Sequence, residues 1–329
     1  MINRINKLKN QDIKKVNLNE NVKTSFFENE KYPLVISPIN SGYNLKNWFL
    51  ENEKYFESSL LKYGSILFRD FKINSVEKFQ DLMAMFPKEL LEYKFRSSPR
   101  FELGDNVYVS TTYPEDENIN MHSENSYAIS PPHRIVFCCV TAPEYRGETP
   151  IADNRLVLSN ISESLRNKFM EKGIMYRRNL SGVIGLSWQE VFQTSDKNQV
   201  QEECVSNGID FMWLEENELI LTWKKEAICE HPVTKELVWF NHGVFFNKHM
   251  LHEDFLRSIN SDDELPNNTF FGDGSEISKD EIEELKFAYQ KAIVEFKWEN
   301  GDVLFLDNYL FSHGRNPYKG DRKIIVSIS

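Results

Sequence analysis

Short runs of Val, Ile and aromatic residues recur along the last two thirds of the chain, and they limit the fold more than any other feature. Turn residues bound many of the runs, and their lengths are typical of β-strands. Many short strands dispersed along one chain predict a barrel or jelly roll. The runs lie at residues 107–111, 134–140, 174–178, 218–223, 237–240, 294–298, 303–306 and 324–328.

Helical patterns precede and interrupt these runs. Residues 45–61 carry apolar side chains at helical spacing, and a short strand is predicted at residues 65–69. A polar residue followed three positions later by Glu predicts capped helices that start at Asn74, Ser187 and Ser278. We therefore predict a mainly β protein whose barrel or jelly roll is decorated by α-helices.

Length, composition and charge narrow the class of protein. The 329 residues are 40% hydrophobic, so one large domain over residues 1–329 is expected, with residues 1–30 as a loose polar arm or edge. A net charge of −11 argues against a nucleic-acid partner. No apolar run approaches the roughly 20 residues needed to span a membrane, and we find no secretory signal. Four cysteines, two of them adjacent, do not resemble a disulfide framework, so a cytoplasmic protein is expected.

His122 and Glu124 form a candidate metal-binding pair. Side chains two positions apart on an extended segment point to the same side, so this imidazole and carboxylate could approach one ion. They would supply two of the three ligands of a facial triad, which leaves coordination positions open on Fe(II). His-x-Glu is also common by chance, so a surface or hydrogen-bonded histidine is the alternative for this pair taken alone.

His313 is the candidate third ligand because of its setting. It follows a predicted core strand and a second turn signal, and the adjacent Gly314 allows a close approach of the backbone. A histidine that is hydrogen-bonded at a strand end is the alternative interpretation. Arg322, nine residues after His313, could point into a barrel and bind a carboxylate through two hydrogen bonds. Arg315 is a second candidate for that anion but lies closer to the predicted metal ligand.

Several motifs in combination resemble the taurine dioxygenase superfamily, over about residues 60–329. The resemblance is greatest to the branch that includes clavaminate synthase and the amino-acid hydroxylases of natural-product pathways. The motifs are His122-Ser-Glu-Asn-Ser-Tyr127, Gly147-Glu-Thr-Pro-Ile-Ala-Asp153, Phe271-Gly-Asp-Gly274, Gly301-Asp-Val-Leu-Phe-Leu-Asp-Asn308 and His313-Gly-Arg-Asn-Pro-Tyr-Lys-Gly-Asp-Arg322.

The resemblance implies a double-stranded β-helix core, the clavaminate synthase-like jelly roll. It implies Fe(II) on His122, Glu124 and His313 as the catalytic centre, with O2 as the oxidant. It also implies that Thr149 and Arg322 bind the cosubstrate 2-oxoglutarate.

Two positions depart from the pattern of many relatives. A further Arg often follows the one that matches Arg322 by about four residues, where this chain has Val326 and Ser327. Glu124 stands where many relatives have Asp. Halogenases of the superfamily lack this carboxylate, so its presence favours hydroxylation.

The reaction implied by the resemblance is hydroxylation of an unactivated C–H bond, coupled to the conversion of 2-oxoglutarate to succinate and CO2. The expected substrate is an amino acid or an amino-acid-derived molecule of secondary metabolism, free or tethered to a carrier protein. Desaturation and cyclisation are alternatives within the family. A zinc-dependent hydrolase could also use two His and one Glu, although the chain has no His-Glu-x-x-His helix. A non-catalytic barrel would be expected to lose a ligand. The sequence does not indicate the oligomeric state.

Five further polar residues receive weaker predictions. Arg100 and Arg155 are possible substrate contacts, but structural ion pairs are favoured for both. Asn125 and Ser126 adjoin the predicted ligands and either line the pocket or hold its loop. For His242 we favour a hydrogen-bonded core histidine.

Overall fold

Three larger β-sheets, two two-stranded sheets and a set of helices build the fold in the described part of the chain. A computed structural model describes residues 21–86, 101–110, 113–214 and 217–329. Its strands are β1 (Val22–Ser25), β2 (Leu34–Pro38), β3 (Ser65–Phe68), β4 (Glu102–Gly104), β5 (Val107–Val109), β6 (Ile119–His122), β7 (Arg134–Thr141), β8 (Tyr145–Arg146), β9 (Ile151–Asp153), β10 (Ile174–Asn179), β11 (Asp210–Trp213), β12 (Leu219–Lys225), β13 (Ile228–Glu230), β14 (Leu237–Trp239), β15 (Asn267–Phe271), β16 (Ile293–Val294), β17 (Val303–Asp307), β18 (Phe311–Arg315), β19 (Tyr318–Lys319) and β20 (Lys323–Ile328).

Helices cover the sheets and connect several of the strands. Two 3-10 turns, Lys248–Met250 and Asp262–Glu264, lie between the last helices. No helix in the described ranges is long and apolar enough to cross a membrane. The helices are α1 (Leu45–Tyr63), α2 (Val76–Met83), α3 (Asn154–Asn160), α4 (Glu163–Lys172), α5 (Trp188–Phe192), α6 (Lys197–Ser206), α7 (Gly243–Phe246), α8 (Glu253–Ser258) and α9 (Lys279–Gln290).

The largest sheet has eight strands in the order β1-β2-β3-β17-β7-β20-β5-β4. A four-stranded sheet has the order β16-β9-β18-β6, and another has the order β11-β12-β10-β15. Apolar side chains of β7 and β20 share one core cluster with side chains of β9 and β18. The core that supports the site therefore lies between the largest sheet and the sheet that contains β6.

Strand β7 shows why its sequence is almost continuously apolar. Side chains of a strand alternate between the two faces of the sheet. Ile135 and Phe137 belong to the core shared with the smaller sheet, whereas Val136 and Cys138 belong to the core beneath α1. Because both faces of β7 are covered, neither set of alternating positions can be polar.

The structure confirms several predicted elements and corrects others. The capping boxes at Ser187 and Ser278 are present at the starts of α5 and α9. The N-cap of α2 is Ser75, whose side chain accepts a hydrogen bond from the backbone of Lys78, so the predicted start at Asn74 is wrong. All four cysteines are free, as the sequence predicts.

Two predicted segments agree with the structure only in part. The segment predicted as a loose arm or edge at residues 1–30 includes β1, which pairs with β2 at the edge of the largest sheet; residues 1–20 lie outside the described ranges. The strand predicted at residues 294–298 is limited to Ile293–Val294. Phe296 and Trp298 are buried, so the alternating apolar pattern reflects side-chain packing after the backbone has left the sheet.

Candidate functional site

Two neighbouring strands bring the two predicted histidine ligands together. His122 ends β6, and His313 on β18 lies opposite it in the antiparallel register, with ring centroids 4.4 Å apart. Glu124 lies in the turn after β6, and its Oε2 is 3.9 Å from Nε2 of His122 and 3.7 Å from Nε2 of His313. One ligand atom from each of the three buried side chains lies within 4.8 Å of the others. These three groups could therefore hold one metal ion.

Gly314 allows β6 and β18 to approach closely beside this cluster. A Cβ atom at this position would lie 2.7 Å from the carbonyl oxygen of Ile119 on β6. Real Cβ atoms do not come that close to a backbone oxygen. The pairing that sets His313 against His122 therefore depends on glycine at this position, which agrees with the close approach expected from the sequence.

The protonation of His122 fits metal binding. Its Nδ1 lies 2.8 Å from the backbone carbonyl oxygen of Asn120. A carbonyl oxygen can only accept, so the proton is on Nδ1 and the lone pair of Nε2 is left for a metal. Two imidazoles and one carboxylate also form the donor set of non-haem Fe(II) sites. Among the described residues, Nδ1 of His313 is buried and has no hydrogen-bond partner.

The side chain of Asn308, which is fully buried, holds the turn that carries Glu124. Its Oδ1 accepts a hydrogen bond from the Glu124 backbone N–H at 2.7 Å. Its Nδ2 donates to the carbonyl oxygens of Glu124 and Pro132, both at 2.8 Å. Asn308 lies between β17 of the largest sheet and β18 of the sheet that contains β6. Both sheets therefore help to fix the backbone of the predicted carboxylate ligand.

Strand β12 holds the next part of the same turn. Nζ of Lys225 donates to the carbonyl oxygens of Ser126 and Ala128 at 2.8 and 2.5 Å, and Nε1 of Trp223 donates to that of Tyr127 at 2.9 Å. Burial lowers the pKa of the Lys225 ammonium to about 8. Three successive carbonyl oxygens are thus satisfied by side chains of one strand, so the turn is restrained from two sides.

A cavity of about 320 Å³ opens at the three candidate ligands, and Thr149 and Arg322 also line it. The structure therefore brings all five predicted site residues to one cavity. The volume lies within the range of pockets that take small molecules.

Thr149 and Arg322 are in contact and are connected to Trp298. Nε1 of Trp298 donates to Oγ1 of Thr149 at 3.1 Å, and Nη2 of Arg322 donates to the same oxygen at 3.4 Å. Nε of Arg322 donates to the carbonyl oxygen of Gly147 at 3.0 Å. Burial, and then the nearby charge of Arg315, lower the pKa of Arg322 to about 10. No carboxylate of the described residues is hydrogen-bonded to Arg322, so a half-buried cation lines the cavity without a paired anion.

The other predicted arginines have different roles. The guanidinium of Arg315 lines the cavity but donates to the backbone carbonyls of Tyr113, Pro114 and Glu117, so it fixes a loop. Arg155 forms the expected structural ion pairs, with Asp153 at 2.7 Å and with Glu236 at 3.3 Å. Arg100 lies outside the described residues.

Residues around the ligand turn connect it to His242. Asn125 has a positive φ of 47° and accepts a hydrogen bond from the Tyr127 hydroxyl. Oγ of Ser126 is 2.8 Å from Nδ1 of His242. Both residues therefore hold the loop. The prediction of a hydrogen-bonded core histidine describes only Nδ1, because the His242 ring also lines the cavity, 5.4 Å from the ring of His122. Burial holds the pKa of His242 well below its usual value, so the ring is neutral.

The sequence alone did not identify several of these side chains. Asn308 was interpreted only as part of a turn signal, and Trp298 as a strand residue. Both lie within or beside the motif that resembles the family, which is the one signal that could have identified them.

Comparison with known proteins decides the family. A model of the taurine catabolism dioxygenase TauD, TfdA family matches residues 30–328. The chain belongs to the TauD/TfdA family. This confirms the predicted enzyme class, a non-haem Fe(II)- and 2-oxoglutarate-dependent dioxygenase, and the predicted cofactors Fe(II), 2-oxoglutarate and O2.

Two curated proteins are similar in sequence to this TauD/TfdA member over most of their lengths. The dapdiamide synthesis protein DdaC of Enterobacter agglomerans is 39% identical over 272 residues, which cover 82% of this chain and 83% of that protein. A clavaminate synthase-like protein of Arabidopsis thaliana is 27% identical over 319 residues, which cover 92% of this chain and 94% of that protein.

Solved structures share the fold of this TauD/TfdA member. PvcB from Pseudomonas aeruginosa aligns with a TM-score of 0.57 at 13% identity, over 94% of this chain and 91% of that one. A taurine dioxygenase from Burkholderia xenovorans aligns with a TM-score of 0.53 at 15% identity, over 94% and 89% of the two chains. This chain therefore has the same fold as these proteins, with large sheets and helices.

Proposed function

We propose that the chain hydroxylates an unactivated C–H bond of an amino acid or amino-acid-derived molecule in the synthesis of a secondary metabolite. His122, Glu124 and His313 would hold Fe(II), and 2-oxoglutarate would be converted to succinate and CO2. The grouping of these three side chains at a cavity that also contains a half-buried arginine without a paired carboxylate carries the proposal. The relative named for dapdiamide synthesis and the clavaminate synthase-like relative support the assignment to secondary metabolism.

The chain's own residues would set the geometry of the metal centre. When bound, Fe(II) would supply the activation of O2 and the oxidising power for the C–H bond. Asn120 orients the imidazole of His122, and Asn308 fixes the backbone of Glu124. Burial of all three ligands would keep bulk water from competing for the coordination positions.

Thr149 and Arg322 are suited to a carboxylate of 2-oxoglutarate. Oγ1 of Thr149 accepts from Trp298 and Arg322, and neither the indole N–H nor the guanidinium can accept in return. The hydroxyl proton of Thr149 is therefore left to be donated to another group. Arg322 still has N–H groups that face the cavity, so a carboxylate could accept hydrogen bonds from both residues.

Several finer expectations belong to the same proposal. The core would be a double-stranded β-helix in a single domain, and the protein would act in the cytoplasm. The substrate would be either free or presented by a carrier protein. Desaturation or cyclisation would use the same site, because these reactions differ in the fate of the oxidised substrate rather than in the metal ligands.

An assay of 2-oxoglutarate turnover tests the proposal. We expect wild-type protein with Fe(II), O2 and 2-oxoglutarate to form succinate, slowly without substrate and faster with it. Arg322→Gln should lose this activity at low 2-oxoglutarate concentration, whereas Lys323→Gln, a charge removed from an exposed neighbour, should retain it. Absence of succinate from folded wild-type protein would contradict the proposal, and zinc-supported hydrolysis would favour the hydrolase instead.

A further inference from the structure

One part of the cavity wall contains none of the residues proposed to bind the metal or the cosubstrate. It is built by α7 and the segments that follow it, and most of its side chains are apolar: Phe245, Phe246, Met250, Leu251 and Pro266. Two polar side chains, His242 and Asn267, interrupt this surface. Polar groups in an apolar wall fix the orientation of a ligand through the hydrogen bonds that they donate and accept.

The hydrogen bond between Ser126 and His242 determines which ring nitrogen carries the proton. Ser126 is fully buried, and Nδ1 of His242 is its hydroxyl's one hydrogen-bond partner in the described ranges. If Nδ1 carried the proton, the Ser126 hydroxyl would have no acceptor. We therefore assign the Ser126 hydroxyl as the donor and Nδ1 as the acceptor, which leaves the proton of the neutral ring on Nε2.

Nε2 of His242 can be reached from the cavity. It forms no hydrogen bond within the described part of the chain, and it is not among the orphaned polar atoms sealed from solvent. The ring is held by Phe246 and Tyr127, with centroids 4.7 and 4.8 Å away. A rigid neutral N–H donor therefore lies beside the metal-binding side chains.

Asn267, the first residue of β15, offers a second set of hydrogen bonds in the same cavity. Its Oδ1 is sealed from solvent and has no hydrogen-bond partner among the described residues, whereas its Nδ2 makes no hydrogen bond there and is not among the sealed atoms. The amide nitrogen is therefore the atom of Asn267 that a ligand in the cavity can reach, and it acts as a donor.

We infer that His242 and Asn267 recognise a neutral acyl group of the substrate, in which His242 donates to the carbonyl oxygen. An amide or a thioester has this carbonyl, and both are uncharged. A free carboxylate fits less well, because a His242 ring that accepts at Nδ1 carries no charge, Asn267 is uncharged, and Arg315 is occupied by backbone carbonyls. The inference rests on the proposed function, which assigns Arg322 to the cosubstrate, and it narrows the substrate from an amino acid to its acyl derivatives.

The test uses three matched sets of probes with full-length enzyme, Fe(II) and 2-oxoglutarate. Each proteinogenic amino acid is supplied as the free acid, as the N-acetyl N-methylamide and as the N-acetyl thioester of N-acetylcysteamine. Two signals are recorded: probe-stimulated succinate formation in air, and the perturbation of the visible Fe(II)–2-oxoglutarate absorption without O2. Wild type is compared with His242→Phe, His242→Gln and Asn267→Leu.

We expect amides or thioesters, and not the corresponding acids, to stimulate succinate formation and to perturb the absorption. The set that responds identifies the source of the carbonyl. His242→Phe should raise the KM for the active probe about tenfold, the effect of one lost hydrogen bond of about 1.4 kcal/mol, and His242→Gln, which keeps an N–H donor, should recover part of it. The affinity for 2-oxoglutarate should fall less than the affinity for the probe in these variants, since His242 is hydrogen-bonded to the turn of Glu124 through Ser126 rather than through Glu124 itself.

Three results would overturn the inference: acids that stimulate as well as their derivatives, a wild type that forms the absorption but responds to no neutral probe, or variants that weaken 2-oxoglutarate binding as much as probe binding. Failure of the wild type to form the absorption at all would contradict the proposed function instead.

Discussion

Replacement of Asn308 by Ala tests whether this buried amide holds the carboxylate ligand in place. The side chain makes three hydrogen bonds, one with the backbone N–H of Glu124 and two with the carbonyl oxygens of Glu124 and Pro132. Each contributes about 1 kcal/mol, and leaving its buried partners unsatisfied adds to the cost. We therefore expect a loss of about 3–5 kcal/mol in the free energy of unfolding of the metal-free protein.

The affinity for the metal should also fall in Asn308→Ala, because the backbone of Glu124 would no longer be held in place. We expect roughly a 10- to 100-fold weaker affinity for Fe(II) or a substitute ion, as found for residues that orient metal ligands. Urea unfolding followed by circular dichroism measures the first effect, and competition with a chelator measures the second. Asn40→Ala, at an exposed position, is the control and should change stability by less than about 0.5 kcal/mol. An Asn308→Ala protein within 1 kcal/mol of wild type, with unchanged metal affinity, would refute the reasoning.

Three further predictions concern the cosubstrate contacts and the pH dependence. Trp298→Phe removes the indole N–H that donates to Thr149, so the KM for 2-oxoglutarate should rise severalfold without a change in metal affinity. Trp213→Phe is the control, because its indole N–H has no partner in the described ranges, and it should leave that KM unchanged. Arg322→Lys should weaken 2-oxoglutarate binding about tenfold or more, measured by titration of the visible absorption, because an ammonium cannot reproduce the two parallel hydrogen bonds of a guanidinium. The folded pKa of Lys225, about 8, lies below its ordinary value of about 10.4, so the folded protein binds fewer protons between these pH values. The free energy of unfolding contributed by this group should therefore rise with pH between these two values. Urea unfolding at several pH values should show this rise in wild type relative to Lys225→Met. A difference in free energy between the two proteins that does not depend on pH would contradict the prediction.

The sequence predicted the site better than its surroundings. His122 and Glu124 are close in the chain, and His313 follows a strand and turn signal that local patterns can identify. The resemblance to a family supplied Thr149 and Arg322, and the structure brings all five residues to one cavity. Their individual roles in binding remain predictions that the proposed assays test.

Contacts between distant parts of the chain could not be predicted in the same way. Asn308 and Glu124 are separated by 184 positions, and the adjacent Asp307-Asn308 turn signal says nothing about which backbone the amide reaches. The apolar alternation from Val294 to Trp298 was typical of a strand, but only its first residue remains paired in a sheet. His242 is predicted as a hydrogen-bonded core histidine, because one sequence does not reveal that the same ring borders a cavity.

Anaerobic absorption spectroscopy tests the central claim most directly, since it requires no knowledge of the substrate. Fe(II) and 2-oxoglutarate are added together and separately to wild type and to His313→Ala, and folding of both proteins is verified by circular dichroism. We predict a weak visible metal-to-ligand absorption in wild type only when both are present, and its loss in the variant. Correctly folded wild type that shows no such absorption, or a variant that retains it in full, would contradict the assignment of His122, Glu124 and His313 as the metal centre.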